Sequence, residues 1–246
     1  MRILIGIDDT DNKDSRGTGF LSRQLAKCIQ EEGFGRVDGI TRHQLFVHPD
    51  IAYTSQNSSA CLDVLSDQKD KLEVFCAQFL KDSAADGSDA GLCIGEWNVI
   101  PDNIQEWGRR AKKEVLQLAE AKDLALANKI YLEGFTGTLI GQIGALAAVG
   151  LRKGGNDGRF IWLAGPTELR ELKPGIFNLE ELKIITGIDN FITINGLPLE
   201  KNCRVLCSDW IRPVLKDGNP GLILEKAKNE QYEWKTATKE YIRTIS

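Results

Sequence analysis

Near the amino terminus, Ile3-Leu4-Ile5-Gly6-Ile7 runs without interruption into Asp8-Asp9-Thr10-Asp11-Asn12. A run this short and this uniformly apolar predicts a strand over residues 2–7 that is buried on both faces, with a functional loop at its acidic carboxyl end. Such a strand needs cover on each side, and helices supply it, so the expected fold class is α/β or α+β. The next segment fits. Phe20, Leu21, Leu25, Cys28 and Ile29 recur at helical spacing between Thr18 and Glu32, and Gly33 provides a stop.

Further along, strands are expected over 39–47, 58–65 and 91–99, and helices over 67–79 and, as one long element after Pro101, over 102–126. A domain boundary is placed there, giving domains 1–126 and 127–246. The second opens with a glycine-punctuated stretch, Gly134 to Gly150, whose later part reads as a closely packed helix. A loop over 153–158 follows, then strands over 159–163, 203–211 and 221–227, a helix over 178–186 and a charged terminal helix or arm.

With 42% hydrophobic residues in 246, the chain can fill a substantial core. Lys and Arg number 31 against 35 Asp and Glu, a net charge of -4 that is not the footprint of a nucleic-acid binder, although a local basic face is allowed. The six cysteines stand mostly singly in apolar runs and read as reduced, buried thiols. The initial apolar run is too short for a signal-peptide core and no segment is of bilayer length, so a cytoplasmic protein without a membrane partner is expected.

Asp8, Asp9 and Asp11 place three carboxylates within four residues, a crowding that a cation would relieve. Hard oxygen ligands suit magnesium, which bridges substrate phosphates. Two other readings stay open: one carboxylate kept protonated by its neighbours as an acid or base, or an acidic turn whose side chains cap the next helix. Ser15-Arg16-Gly17-Thr18-Gly19 combines glycines, hydroxyls and a helix start into a phosphate cradle, or else Thr18 is only an N-cap. Tyr53 to Ser59 gathers hydroxyls and amides, and Gly87 to Gly91 offers backbone amides or an ordinary turn. His43 and His48 have no metal-ligand spacing and read as packing or surface residues. Gly137, Gly141 and Gly144 serve helix packing better than a dinucleotide fingerprint. Arg152, Lys153 and Gly154-Gly155 form a basic loop able to meet an anion, or solvated charge.

Five segments, in chain order, carry a family resemblance: Ile5-Gly6-Ile7-Asp8-Asp9-Thr10-Asp11, Tyr53-Thr54 through Asn57, Gly87 through Leu92, Leu139-Ile140-Gly141 through Gly150, and Pro213-Val214-Leu215. Together they resemble the archaeal agmatinylcytidine synthetase family of isoleucine tRNA, over nearly the whole chain. The resemblance implies an N-terminal kinase-like domain and a ferredoxin-like domain. It also implies a reaction in which ATP phosphorylates a cytidine carbonyl oxygen and the amine of agmatine displaces the phosphate. Carried over by residue, Asp8, Asp9 and Asp11 would be catalytic and hold magnesium and the ATP phosphates, with Asn57 and Asp89 nearby; Thr10, Gly17, Thr18 and Gly91 complete the expected nucleotide-binding set from the loops themselves. The chain departs from the family at Thr18-Gly19-Phe20, which replaces Cys-Thr-Thr, and at Ser55 and Gln56, which stand where the family has Arg and Gly. The family's OB-fold and zinc ribbon are not expected here.

The expectation is therefore an ATP- and magnesium-dependent phosphotransferase or ligase-like enzyme acting on an unidentified small-molecule acceptor rather than bare tRNA, with room for a homodimer. Two alternatives stand beside it: a metal-dependent phosphatase of the haloacid dehalogenase type, from Asp9-Thr10-Asp11, and a non-catalytic nucleotide- or metabolite-binding protein.

Overall fold

The computed structural model describes every residue except Ser55 and Asp209, so the expectations attached to Ser55, and to 209 within a strand over 203–211, lie outside the described residues. The chain divides into two compact units, Met1–Gly154 and Gly155–Ser246.

The first unit contains β1 (Arg2–Asp8), α1 (Thr18–Glu31), β2 (Arg36–Gln44), β3 (Ser58–Leu65), α2 (Lys69–Ser83), β4 (Gly91–Glu96), α3 (Asp102–Ala111), α4 (Leu118–Ala127), β5 (Tyr131–Gly134) and α5 (Gly141–Gly154). Its strands lie in the order β5-β4-β1-β3-β2 with every pairing antiparallel. As expected, β1 is buried, Ile3, Leu4, Ile5 and Ile7 having no exposed surface, and the structure places it at the centre of these five strands. Alternation along the strand turns Leu4, Gly6 and Asp8 towards α5, where Leu4 joins Cys61, Cys93 and the residues Ala145 to Val149 in one cluster. The odd residues point to the opposite face, which α1 and α2 cover.

Glycine decides how close α5 comes. A Cβ on Gly6 would overlap the Ala145 carbonyl, and one on Gly91 would overlap the Gly141 backbone. The Gly137-Gly141-Gly144 series thus acts at Gly141 and Gly144 as the packing surface it was expected to be.

Three expectations need correction. The long helix over 102–126 is two helices. The Ala111 carbonyl accepts the Phe46 N–H at 2.9 Å, and the N–H groups of Lys113 and Glu114 both turn back to Arg110, so the helical ladder stops. The chain divides after Gly154 instead of 126, because β5 pairs with β4 and α5 packs on β1. Finally, Arg152 and Lys153 are not a loop open to an anion. Because α5 continues through Gly154, it buries Arg152 against the sheet, where its guanidinium donates to Asp63 Oδ2 at 2.5 Å. Arg2 donates to the same carboxylate at 2.6 and 2.9 Å, and Lys153 donates to the Trp97 carbonyl at 2.7 Å. Removing one partner from a buried pair of this kind costs about 3–5 kcal/mol.

The second unit contains β6 (Arg159–Leu163), β7 (Gly175–Asn178), α6 (Leu179–Thr186), β8 (Asn190–Thr193), β9 (Arg204–Cys207), β10 (Val214–Lys216), β11 (Asn219–Lys226), β12 (Trp234–Thr236) and α7 (Lys239–Ile245). Its strands run β6-β10-β11-β12-β9-β7, with β8 alongside β11. The β8–β11 and β9–β12 pairs are parallel and the others antiparallel. The core gathers Leu182, Ile188, Val205, Leu222, Leu224 and Trp234. Helix α6 begins with a reciprocal cap, in which Asn178 Oδ1 accepts the Glu181 N–H and Glu181 Oε2 accepts the Asn178 N–H.

Candidate active site

Strand β1 carries its last residue, Asp8, into a ladder position opposite Gly91 of β4. Its carboxylate faces Gly144 so closely that a Cβ there would overlap Asp8 Oδ2. Burial pushes the Asp8 carboxyl well above its ordinary pKa; the charges of Asp9 and Asp11 add to this, while the Asp9 amide and the charge of Arg42 oppose it. Asp9 then reverses the chain at φ +51°, and its carbonyl accepts the Asp89 N–H at 3.1 Å. Burial, with the charges of Asp89 and Asp11, raises the Asp9 carboxyl from 3.8 to about 6.

Asp11 has a different environment. Its Oδ1 accepts from the Thr18 N–H at 3.1 Å and the Thr18 hydroxyl at 2.8 Å, and its Oδ2 accepts from the Thr54 hydroxyl at 2.7 Å. The chain's own carboxylate therefore lies against the start of α1, where a phosphate cradle was expected. Thr18 Oγ1 also accepts from the Thr10 N–H and hydroxyl, at 3.3 and 3.1 Å. Gly17 belongs to the same helix entry, its carbonyl accepting the Phe20 N–H at 2.7 Å.

A cleft of the first unit opens at these residues. Asp8, Asp9, Asp11, Thr18, Thr54, Gln56 and Asn57 supply polar lining, and Leu45, Ile51, Tyr53, Leu116, Ile140 and Ile143 supply an apolar wall. It thus pairs an acidic end with an apolar surface, the combination that orients a charged group on a flat organic body. Of the expected nucleotide residues, Thr18 and Asn57 line the cleft. Thr10, Gly17, Asp89 and Gly91 stand behind it: Asp89 binds the Thr138 hydroxyl at 2.7 Å and the Thr138 amide, and Gly91 lets β4 meet α5.

Sequence reasoning missed Leu116, Glu114, Ile140 and Ile143, which reach the cleft because helix α3 stops at Ala111 and α5 begins at Gly141. His43 is buried beside Thr41, at 2.8 Å, as the packing role anticipated, and all six cysteines are free thiols. Among the described residues no group of three or more His, Cys, Asp or Glu side chains forms a ready-made metal cage, and no helix is long and apolar enough to cross a membrane.

Solved structures share much of this fold. The likeness is to TiaS. The structure of apo TiaS, an agmatidine synthetase of isoleucine tRNA, is similar at a TM-score of 0.54 and 25% identity, covering 61% of this chain and 35% of that one. A TiaS complex with its tRNA and ATP gives a TM-score of 0.54 at 26% identity, covering 61% and 36%. An uncharacterized protein of Methanocaldococcus jannaschii is 31% identical over 152 residues, 61% of this chain and 50% of the relative. The chain thus spans about half the length of that relative and about a third of the TiaS chains. No protein-family model matches it. The chain is a distant relative of TiaS with a mixed α/β fold.

Two consequences of the site can be measured. Alanine is a better helix former than glycine by about 1 kcal/mol, yet Gly144→Ala is expected to destabilise the protein by about 1–3 kcal/mol, the usual scale of overpacking. The loss should shrink when Asp8 is also replaced by alanine, as a double-mutant cycle would show; stabilisation by Gly144→Ala alone would contradict the contact. Asp9 holds its proton more tightly folded, at about 6, than at its ordinary 3.8, so it favours the fold below about pH 4 and that contribution is lost as pH rises through 6. Asp9→Asn should therefore be more resistant to urea than the wild type at pH 7 and lose the advantage at pH 4. An equal difference at both pH values would count against the assignment.

Proposed function

We propose that this protein is an ATP- and magnesium-dependent phosphotransferase or ligase-like enzyme whose cleft holds the nucleotide's phosphates at Asp8 and Asp9. The single observation that carries the reading is the carboxylate pair where β1 ends, Asp8 buried and Asp9 half-buried, with both pKa values raised, in a chain similar to a TiaS structure solved with ATP. Groups perturbed in this way inside a cleft are frequent at functional sites.

The donor chemistry fits magnesium: Asp8 and Asp9 are hard oxygen ligands whose charge calls for a cation. Asp8 and Asp9 would hold the ion, and Asp11 would add to them through Oδ2, which accepts one hydrogen bond, from Thr54, and keeps a second lone pair. The ion would supply charge neutralisation for the phosphates. Thr18 and Asn57 border the bound nucleotide, while Thr10, Gly17, Asp89 and Gly91 keep the acidic turn and α5 in register. In this reading the first unit is the kinase-like domain and the second the ferredoxin-like domain. The net charge of -4 and the acidic cleft favour a small-molecule acceptor over bare tRNA.

A second reading, nucleotide binding without turnover, draws support from Asp11 and Thr18, whose polar atoms are already engaged with one another and with Thr54 and Thr10. Calorimetric titration separates the readings. Wild type should bind ATP only with magnesium, and Asp9→Asn should weaken that binding by at least about tenfold, the scale of a lost charged contact. A wild type indifferent to magnesium and ATP would overturn the proposal. Binding without release of ADP or pyrophosphate across a metabolite screen would favour the second reading. Turnover of p-nitrophenyl phosphate that Asp9→Ala abolishes would make the protein a phosphatase instead.

A further inference from the structure

Where β1 ends, the sheet carries a row of polar side chains on the face that α5 covers. Residues directly opposite one another on paired strands share a face. Strand β1 pairs with β3 as Leu4 with Asp63, Gly6 with Cys61 and Ile7 with Ala60, so the next step sets Ser59 opposite Asp8. The pairing of β3 with β2 sets His43 opposite Ser59 in turn. The α5 side of this row is fixed by its neighbours: Asp63 meets Arg152, Cys61 joins the α5 cluster and Asp8 meets Gly144.

Ser59 has no exposed surface, and its hydroxyl has no hydrogen-bond partner among the described residues. The histidine beside it is bonded through Nε2 to the Thr41 hydroxyl at 2.8 Å. A buried hydroxyl left in this state costs stability, and alanine would fill the same space without that cost. We propose that Ser59 is a positioning residue for Asp8, its hydroxyl donating a hydrogen bond to the Asp8 carboxylate in the magnesium-loaded site; the inference rests on the reading of Asp8 as a magnesium ligand. Side chains directly opposite on antiparallel strands have Cβ atoms about 4.5–5.5 Å apart, so a turn of the serine into another staggered rotamer brings its hydroxyl to a carboxylate oxygen. A carboxylate that ligates a metal keeps further lone pairs, and hydrogen bonds to them hold it in orientation. The other neighbours of Asp8 cannot do this. Gly91 stands opposite it on β4 and Gly144 lies over it on α5, and neither has a side chain to donate from.

Calorimetric titration of the full chain with the magnesium–ATP complex and with adenosine, set beside thermal melting of the unliganded protein, tests this on wild type and Ser59→Ala. The alanine variant should melt about 2–4 °C above the wild type, because it loses an unpartnered buried hydroxyl. It should nevertheless bind magnesium–ATP at least about tenfold more weakly, the scale on which removing a hydrogen-bond partner of a metal ligand acts, with its adenosine affinity unchanged. A gain in stability joined to a loss of metal–nucleotide affinity is a pair that a merely structural role does not produce. Wild-type affinity for magnesium–ATP in the alanine variant would overturn the role of Ser59 and leave the ATP site standing. An equal loss for adenosine would overturn it too, since the cleft wall would then have moved, and so would a variant that melts below the wild type, since the hydroxyl would then be engaged in the unliganded fold. A wild type that ignores magnesium–ATP would overturn the site and this inference together.

Discussion

The close approach of helix α5 to strand β1 governs most of what surrounds it. Gly6, Gly91, Gly141 and Gly144 leave no room for a Cβ between the helix and the sheet. Backbones that pack this tightly exclude water from the end of β1, and Asp8 lies at that end. The carboxylate is buried because the glycines are there, and its raised pKa follows from burial more than from any single neighbour. Removing the close approach would hydrate Asp8 and dissolve the electrostatic character of the cleft.

The three aspartates of the loop then divide by environment. Asp11 spends both oxygens on Thr18 and Thr54 and so anchors the start of α1 to the segment that follows β2. Asp8 and Asp9 are left with the cost of like charges in partial isolation from water. Asp9 adds a backbone at φ +51°, braced by the Asp89 amide. A left-handed turn and two raised carboxyl pKa values at one place are the features on which the proposed site rests.

How much of this was legible depends on how local its cause is. The buried strand, helix α1 and strand β3 follow from periodicity within a few residues, and the structure places them within two residues of expectation. The division of 102–126 into α3 and α4 was not legible, because it depends on Phe46, whose amide comes from a distant segment to take the Ala111 carbonyl. Arg152 looked like a loop cation because nothing near it in sequence reveals Asp63. Strands β7, β8, β10 and β12 have three or four residues each, too few for a period to emerge. At the site, the acidic turn was legible as a cluster, whereas the separate occupation of Asp11 and the apolar wall of Leu116, Ile140 and Ile143 required the fold.

The central claim is that Asp8 and Asp9 hold magnesium and the phosphates of ATP. A crystal structure of the wild-type chain grown with magnesium and a non-hydrolysable ATP analogue tests it most directly. The account predicts a magnesium ion bound by Asp8 or Asp9 together with phosphate oxygens, with the base against the apolar wall. Nucleotide bound elsewhere on the chain, or a cleft that stays empty at saturating analogue, would contradict it.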